Sequence, residues 1–272
     1  MRATRACLFP MLLLLLLFSE AAAESPVVLW SEDRVVAFGQ GVAPGTGPGA
    51  KLLARRAAIV DLQRNLLEHV EGVRIEARTK MKDFMVHDSV RSVVQGLVRH
   101  VEIWQATWDG EIYTVEGGIR LRGLRQALAP KLDGLAPRAV SAYSGEGYDS
   151  LVLDVSHLPF VPSMVFTVRR ASGAPLYGLQ FIDERAFIEK GLCRYVLERS
   201  PRAPQALLAS PAWADEDRAL VLSEGDIVIP DEAADLIEAN AFDFRIPGEV
   251  TIITKTAALR GRGLLPLLAQ RP

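Results

Sequence analysis

Residues 50–77 read AKLLARRAAIVDLQRNLLEHVEGVRIEA, and the pattern within them decides how the first half of the chain folds. The apolar pairs Leu52/Leu53, Ile59/Val60 and Leu66/Leu67 recur at a seven-residue interval. That spacing keeps side chains on one face of an α-helix. A helix over 50–70 is therefore predicted, with this face laid on a sheet. Glu71-Gly72 stops it, because glycine sits readily just past the last helical residue. Residues 73–77 then alternate apolar and polar side chains as a half-buried strand does.

Upstream of this helix, residues 27–38 read as a strand. Gly39, Gly41, Pro44, Gly45, Gly47, Pro48 and Gly49 follow and are expected to forbid regular structure until Ala50. Downstream, a short helix is expected near 89–96. Segments 98–108 and 111–121 then face each other across Asp109-Gly110, a dipeptide suited to a tight hairpin. Counting outward from that turn pairs Ala106 with Tyr113 and Trp104 with Val115, which sets Trp104, Trp108, Tyr113 and Val115 on one face that must be covered.

The second half begins with strands over 150–155 and 164–170, the turn Ser172-Gly173, and a return toward Tyr177. A helix over 183–198 follows, then short apolar runs at 219–222 and 226–229. Pro230-Asp231-Glu232 opens a further helix, with acids in its first turn, that ends near Asn240; a strand over 249–255 closes the pattern. The expected fold class is α+β. It comprises two small domains, each a mostly antiparallel or mixed sheet with helices packed on one face, and parallel pairs are admitted in the second. The expected division is a signal peptide at 1–23, an α+β domain at 24–126, a helix end and linker at 127–147, a second domain at 148–256 and a tail at 257–272. The linker rests on Pro130, Gly134, Pro137 and Gly145.

The N-terminus has the order of a secretory signal: Arg2 and Arg5, the 11-residue apolar run 8–18, then Ala21, Ala22 and Ala23. A membrane-spanning helix needs about 20 apolar residues, so cleavage near Ala23 is expected rather than anchoring. Glu24 stands where a lipoprotein would carry its lipobox cysteine. A periplasmic chain with no stable membrane span after cleavage is the expectation. Cleavage removes Arg2, Arg5 and Glu20 from the 31 basic and 33 acidic residues, leaving a net charge near −3. That balance offers no basic face for nucleic acid. Cys7 leaves with the signal and Cys193 remains alone, so the exported chain cannot close an internal disulfide.

A search for chemistry returns no catalytic, cofactor-binding or metal-binding set. The Gly39 to Gly49 stretch precedes a helix but lacks Gly-Lys-Ser/Thr, and Pro44 stands where a dinucleotide fingerprint needs its third glycine; it reads as a connector. His69, His87, His100 and His157 are each more than four residues apart, so no helical metal pair exists. Ser156-His157 are neighbours whose side chains diverge on a strand end, and no Gly-x-Ser-x-Gly elbow accompanies them. Cys193, within the predicted helix 183–198, reads as core. Asp215, Glu216, Asp217, Asp231 and Glu232 fall at loops or helix starts where acids are ordinary. Arg56 shares the arc of Leu52, Ile59 and Val60; a buried pair with a carboxylate of the sheet is favoured over an interface role.

The run from Ala54 to Glu68, Glu71-Gly72-Val73-Arg74-Ile75, Thr79, Lys82-Asp83-Phe84, Val94-Gln95-Gly96-Leu97-Val98, and the hairpin with Asp109-Gly110 and Tyr113-Thr114-Val115 together resemble a known pattern. It is that of the LPP-twenty lipoprotein domain and the N-terminal domain of flagellar assembly protein T, over about residues 38–123. The resemblance implies a small α+β domain of bacterial periplasmic or outer-membrane-associated proteins, used for assembly or protein contact, with no catalytic residue to transfer. The expected function is a non-catalytic periplasmic scaffold or assembly factor of the cell envelope, with an unidentified envelope protein as partner and flagellar or outer-membrane assembly as its setting. The alternative is a periplasmic small-ligand-binding protein or enzyme with an inter-domain pocket.

Overall fold

The structure is a computed structural model that describes residues 28–43, 45, 47, 49–135, 150–196, 206–209, 221–239 and 250–255. The signal 1–23, the acids 215–217 and the tail 257–272 lie outside the described residues. The chain is mixed α+β, with sheets packed against helices. Among the described residues, no helix is long and apolar enough to cross a membrane.

The predicted strand 27–38 is two strands. β1 (Val28–Leu29) runs into a 3-10 turn at Trp30–Glu32, and Asp33 at φ 57° reverses the chain into β2 (Arg34–Val42), which pairs back with Val28 opposite Val35. β2 runs on through Gly39 and Gly41, so these two glycines do not break the strand as the sequence reading expects. They lie beneath α1 (Ala50–Glu71). A Cβ on Gly39 would sit 2.2 Å from the Ala58 oxygen, and one on Gly41 would sit 2.0 Å from the Ala54 oxygen. The helix backbone rests directly on the strand, which only glycine permits.

That contact also explains why α1 turns its other side inward. The buried row is Ala54, Ala58, Leu62, Leu66, His69 and Val70, and Leu52, Leu53 and Val60 face outward. The seven-residue apolar pairs predict the helix correctly but only partly its buried face. Small residues at Ala54 and Ala58 allow the close approach that the larger pairs would block.

After Gly72, residues 73–79 form a loop closed by an Arg74–Lys80 bridge, where a strand is predicted. The burial alternation is real, since Val73 and Ile75 are both buried. The strand fails because Ile75 N–H bonds back to Thr79 O at 2.9 Å and leaves no continuous ladder. α2 (Met81–Phe84) and α3 (Asp88–Arg99) follow, the latter longer than expected, with Val90, Val94 and Val98 inward.

β3 (Glu102–Trp108) and β4 (Ile112–Arg120) form the predicted hairpin and complete an antiparallel sheet in the order β1-β2-β4-β3. Its register differs by two residues: Ala106 pairs with Val115 and Trp108 with Tyr113. The turn is wider because Asp109 Oδ1 accepts N–H bonds from Glu111 (3.0 Å) and Ile112 (2.7 Å). Trp108 and Tyr113 share a face, with ring centroids 6.1 Å apart. Trp104 does not join them. An irregularity between Ile103 and Gln105 turns it to the opposite face, over Gly118 and 5.0 Å beneath the Arg34 guanidinium.

α4 (Leu121–Leu128) leaves β4 directly, taking the last residue of the predicted strand 111–121. The second half contains β5 (Ser150–Asp154), β6 (Val168–Arg170), β7 (Pro175–Tyr177), α5 (Glu184–Lys190), β8 (Arg194–Val196), β9 (Ala206–Ala209), β10 (Val221–Ser223), β11 (Asp226–Ile229), α6 (Asp231–Ala239) and β12 (Val250–Ile253). Two four-stranded sheets result. One, in the order β8-β12-β5-β9, is parallel throughout; the other, β10-β11-β6-β7, joins β11 and β6 in parallel between antiparallel pairs. The predicted strand 164–170 is realised only as β6. The predicted helix 183–198 ends at Gly191, whose φ of 71° stops α5, and the chain re-extends as β8.

Candidate functional site

A concentration of polar side chains with defined geometry lies where the two halves meet. α4 carries Leu121, Leu124, Arg125 and Leu128 on one arc, the i, i+3, i+4, i+7 spacing of a buried stripe, and Arg125 is only 4% exposed. A buried guanidinium must be paired and hydrogen-bonded. Asp33, held at the β1–β2 corner, supplies the charge: Nη1 lies 2.5 Å from Oδ1 and Nη2 3.0 Å from Oδ2. From the second half, Ile188 O accepts from Nε at 2.9 Å and Glu189 O from Nη2 at 3.4 Å. Those carbonyls belong to the last turn of α5, whose dipole favours a cation. One turn earlier on α4, Arg122 donates to both carboxylate oxygens of Glu189, at 2.9 and 2.6 Å.

Two further contacts fasten the same junction, the first of them made by a ring that hydrogen bonds within the second half hold in place. Tyr195 OH donates to Ser163 O at 2.9 Å, and Ser163 N–H donates to the same hydroxyl at 3.3 Å. The Tyr195 ring meets Trp30 edge-on, with centroids 5.5 Å apart. The loop after α1 pairs its backbone with the second half: Arg74 O accepts from Met164 N–H at 3.2 Å and Ile75 O from Val165 N–H at 2.8 Å. Buried side chains of both halves form one connected apolar cluster. A cavity of about 30 Å³ remains beside Arg125, lined also by Asp33, Ser163, Cys193 and Tyr195.

Burial pushes the Tyr195 hydroxyl and the Cys193 thiol well above their ordinary ranges. The charge of Arg125 pulls the thiol back only in part. The raised thiol disfavours the nucleophilic thiolate at Cys193. Cys193 packs against the core as the sequence reading expects, but in the link before β8 rather than in a helix. Burial likewise raises Tyr177, whose hydroxyl donates to Leu192 O. Tyr195→Phe leaves the buried Ser163 carbonyl and N–H short of a partner. Loss of about 1–3 kcal/mol of unfolding free energy is expected in a urea titration, from the desolvated groups left behind.

The Arg122 bonds hold the Glu189 carboxyl below its ordinary 4.5, the hydrogen bond first and the charge after it. A lowered folded pKa means a contribution fully present above 4.5 and lost as pH falls through the folded value. The urea midpoints of wild type and Arg122→Ala should therefore differ at pH 6 and draw together as the pH is lowered below 4.5 through the folded value. Both side chains are half-exposed, so the difference is small and weakens with salt.

The candidates named from sequence are dispersed. His69 is buried with Nδ1 2.7 Å from Val36 O, and His100 Nδ1 lies 2.8 Å from Gly96 O. His87 precedes α3 and His157 is exposed. Ser156 N–H donates to Asp154 Oδ1 at 3.0 Å. Asp231 accepts from Ser172 Oγ at 2.8 Å and from its N–H at 3.2 Å, bonds that hold its carboxyl below the ordinary range and tie the β6–β7 turn to α6; Glu232 is exposed. Arg56 is exposed on α1, which corrects the expectation of a buried ion pair; its arc of the helix faces away from the sheet. Among the described residues, no group of three or more His, Cys, Asp and Glu side chains could hold a metal ion. Sequence reasoning missed Asp33, Arg125 and Tyr195. The signal for Arg125 is the one applied to Arg56, a cation inside an apolar helical arc, once a helix is drawn over 121–128.

Residues 150–255 match the second domain of Treponema pallidum Tp0624. The match runs from β5 to just past β12 and takes in α5, whose last carbonyls receive Arg125. The Tp0624 likeness leaves α1, the first sheet and α4 outside it. No curated protein sequence matches the chain.

Proposed function

We propose that the protein is an exported, non-catalytic scaffold or assembly factor of the bacterial cell envelope, working in the periplasm after residues 1–23 are removed. Its export rests on the order of charge, apolar run and small residues at the N-terminus. The observation that carries its non-catalytic character is the use made of the junction side chains. Arg125, Asp33 and Tyr195 would be candidates for chemistry in an open cleft, yet Arg125 is held by Asp33 and by an α5 carbonyl across the junction, and the Tyr195 ring packs on Trp30 across it. The likeness of residues 38–123 to the LPP-twenty and flagellar assembly protein T domains favours protein assembly, in a flagellar or outer-membrane setting. A ligand-binding or enzymatic role would need a pocket between the halves. The cavity beside Arg125, at about 30 Å³, has room for a water but not for the ~300–1,000 Å³ of a small-molecule site.

Osmotic-shock fractionation followed by intact mass measurement tests the export step. A periplasmic chain beginning at Glu24 is expected. Cytoplasmic retention with residues 1–23 still attached would overturn the proposal.

A further inference from the structure

The outward side of α1 carries a surface that the fold does not use. Leu52, Leu53 and Val60 are 67%, 55% and 59% exposed, while the helix already buries a full row against the sheet. Apolar residues on two opposite sides of a helix imply a second covering layer. Lys51, Arg55 and Arg56 stand among these side chains, all exposed, and residues 50–60 contain no acid. Among the described residues these three cations form no ion pair, whereas Arg64, one turn beyond Val60, is paired with Asp61 at 2.7 Å.

Helix stability does not account for this arrangement. Cations in the first turns oppose the positive end of the helix dipole, and Gly49 offers no side-chain cap to offset them. A local choice that works against its own element is the mark of a site selected for something else.

We propose that this face of α1 docks on an anionic lipid bilayer. Charge complementarity selects the occupant's sign, and the shape of the face selects its kind. The shallow groove here is lined by Leu53, Arg56, Ala57, Val60, Asp61 and Arg64, all from one helix, so the surface has one convex wall rather than the two walls that hold a peptide. Exposed leucines beside long-stemmed cations fit the boundary between headgroups and acyl chains, with the aliphatic stems lying flat and the charges at the phosphates. The proposal stands on α1 alone and does not depend on the assembly role.

Flotation of the exported chain with phosphatidylcholine vesicles, with and without phosphatidylglycerol, tests it. Binding to the anionic vesicles that falls with added salt is expected. Each cation near an anionic surface strengthens partitioning about 5-fold, so Arg55→Ser/Arg56→Ser should weaken binding about 25-fold. Leu52→Ser/Leu53→Ser should also lose it, while Arg91→Ser on α3 should leave it unchanged. All five positions are exposed, so folding, checked by circular dichroism, is not at stake. Equal binding to both vesicle types, or variants that float like the wild type, would overturn the proposal. So would a chain that ignores vesicles and instead loses a protein cross-link in the arginine variant, which would assign the face to an acidic protein.

Discussion

Asp33→Ala is expected to lower unfolding free energy by about 1–3 kcal/mol, because it strips the carboxylate from a buried guanidinium while Asp33 itself stands half-exposed and screened by solvent. Arg125 would remain, 4% exposed, with a full charge and two carbonyls but no carboxylate. Asp33 also holds the left-handed corner between β1 and β2, and its backbone carbonyl accepts from Leu121 N–H at 2.8 Å. Asp33→Asn separates these roles. Asparagine tolerates the corner and keeps one acceptor, so most of its loss reports the missing charge. The double variant Asp33→Asn/Arg125→Met removes both ions and should recover part of the loss, because an apolar side chain needs no counter-charge. Urea unfolding followed by circular dichroism measures all three. If Asp33→Ala unfolds with the wild-type midpoint, the pair does not hold the junction.

Gly41→Ala and Gly39→Ala are expected to cost about 3 kcal/mol each, at the upper end for overpacking. The reason is what the new methyl meets. Its neighbours at 2.0 and 2.2 Å are backbone oxygens of α1, which cannot swing aside as a side-chain tip can. The helix must lift off β2, loosening Leu62 and Leu66 beneath it. Gly47→Ala and Gly49→Ala, in the same glycine-rich stretch, meet no atom within 4 Å and should stay close to wild type. Thermal unfolding of the four variants separates the glycines that allow close approach from those that merely connect.

That division shows what the sequence could and could not convey. α1, its stop at Gly72, the Asp109-Gly110 turn, β11 at 226–229 and α6 after Pro230 are legible because each depends on local periodicity, turn chemistry or capping. The inward face of α1 depends on how closely a strand from another part of the chain can approach. Gly39 and Gly41 therefore read as breakers, although they are a packing surface. Trp104 is misplaced by an irregularity in β3, which inverts a two-residue alternation without altering composition. The helix predicted over 183–198 ignores Gly191, and with it the turn that brings Cys193 and Tyr195 to the junction. The Arg125 site joins residues up to 92 positions apart, so no local pattern reveals its partners.

The central claim, assembly rather than catalysis, is most directly tested by cross-linking the tagged chain in intact cells. Affinity purification then identifies each envelope protein enriched over an unrelated periplasmic control. A scaffold is expected to recover a defined basal-body or outer-membrane protein, repeatedly. An empty list from protein shown to be folded and exported would contradict the assembly role and make a metabolite screen the next step.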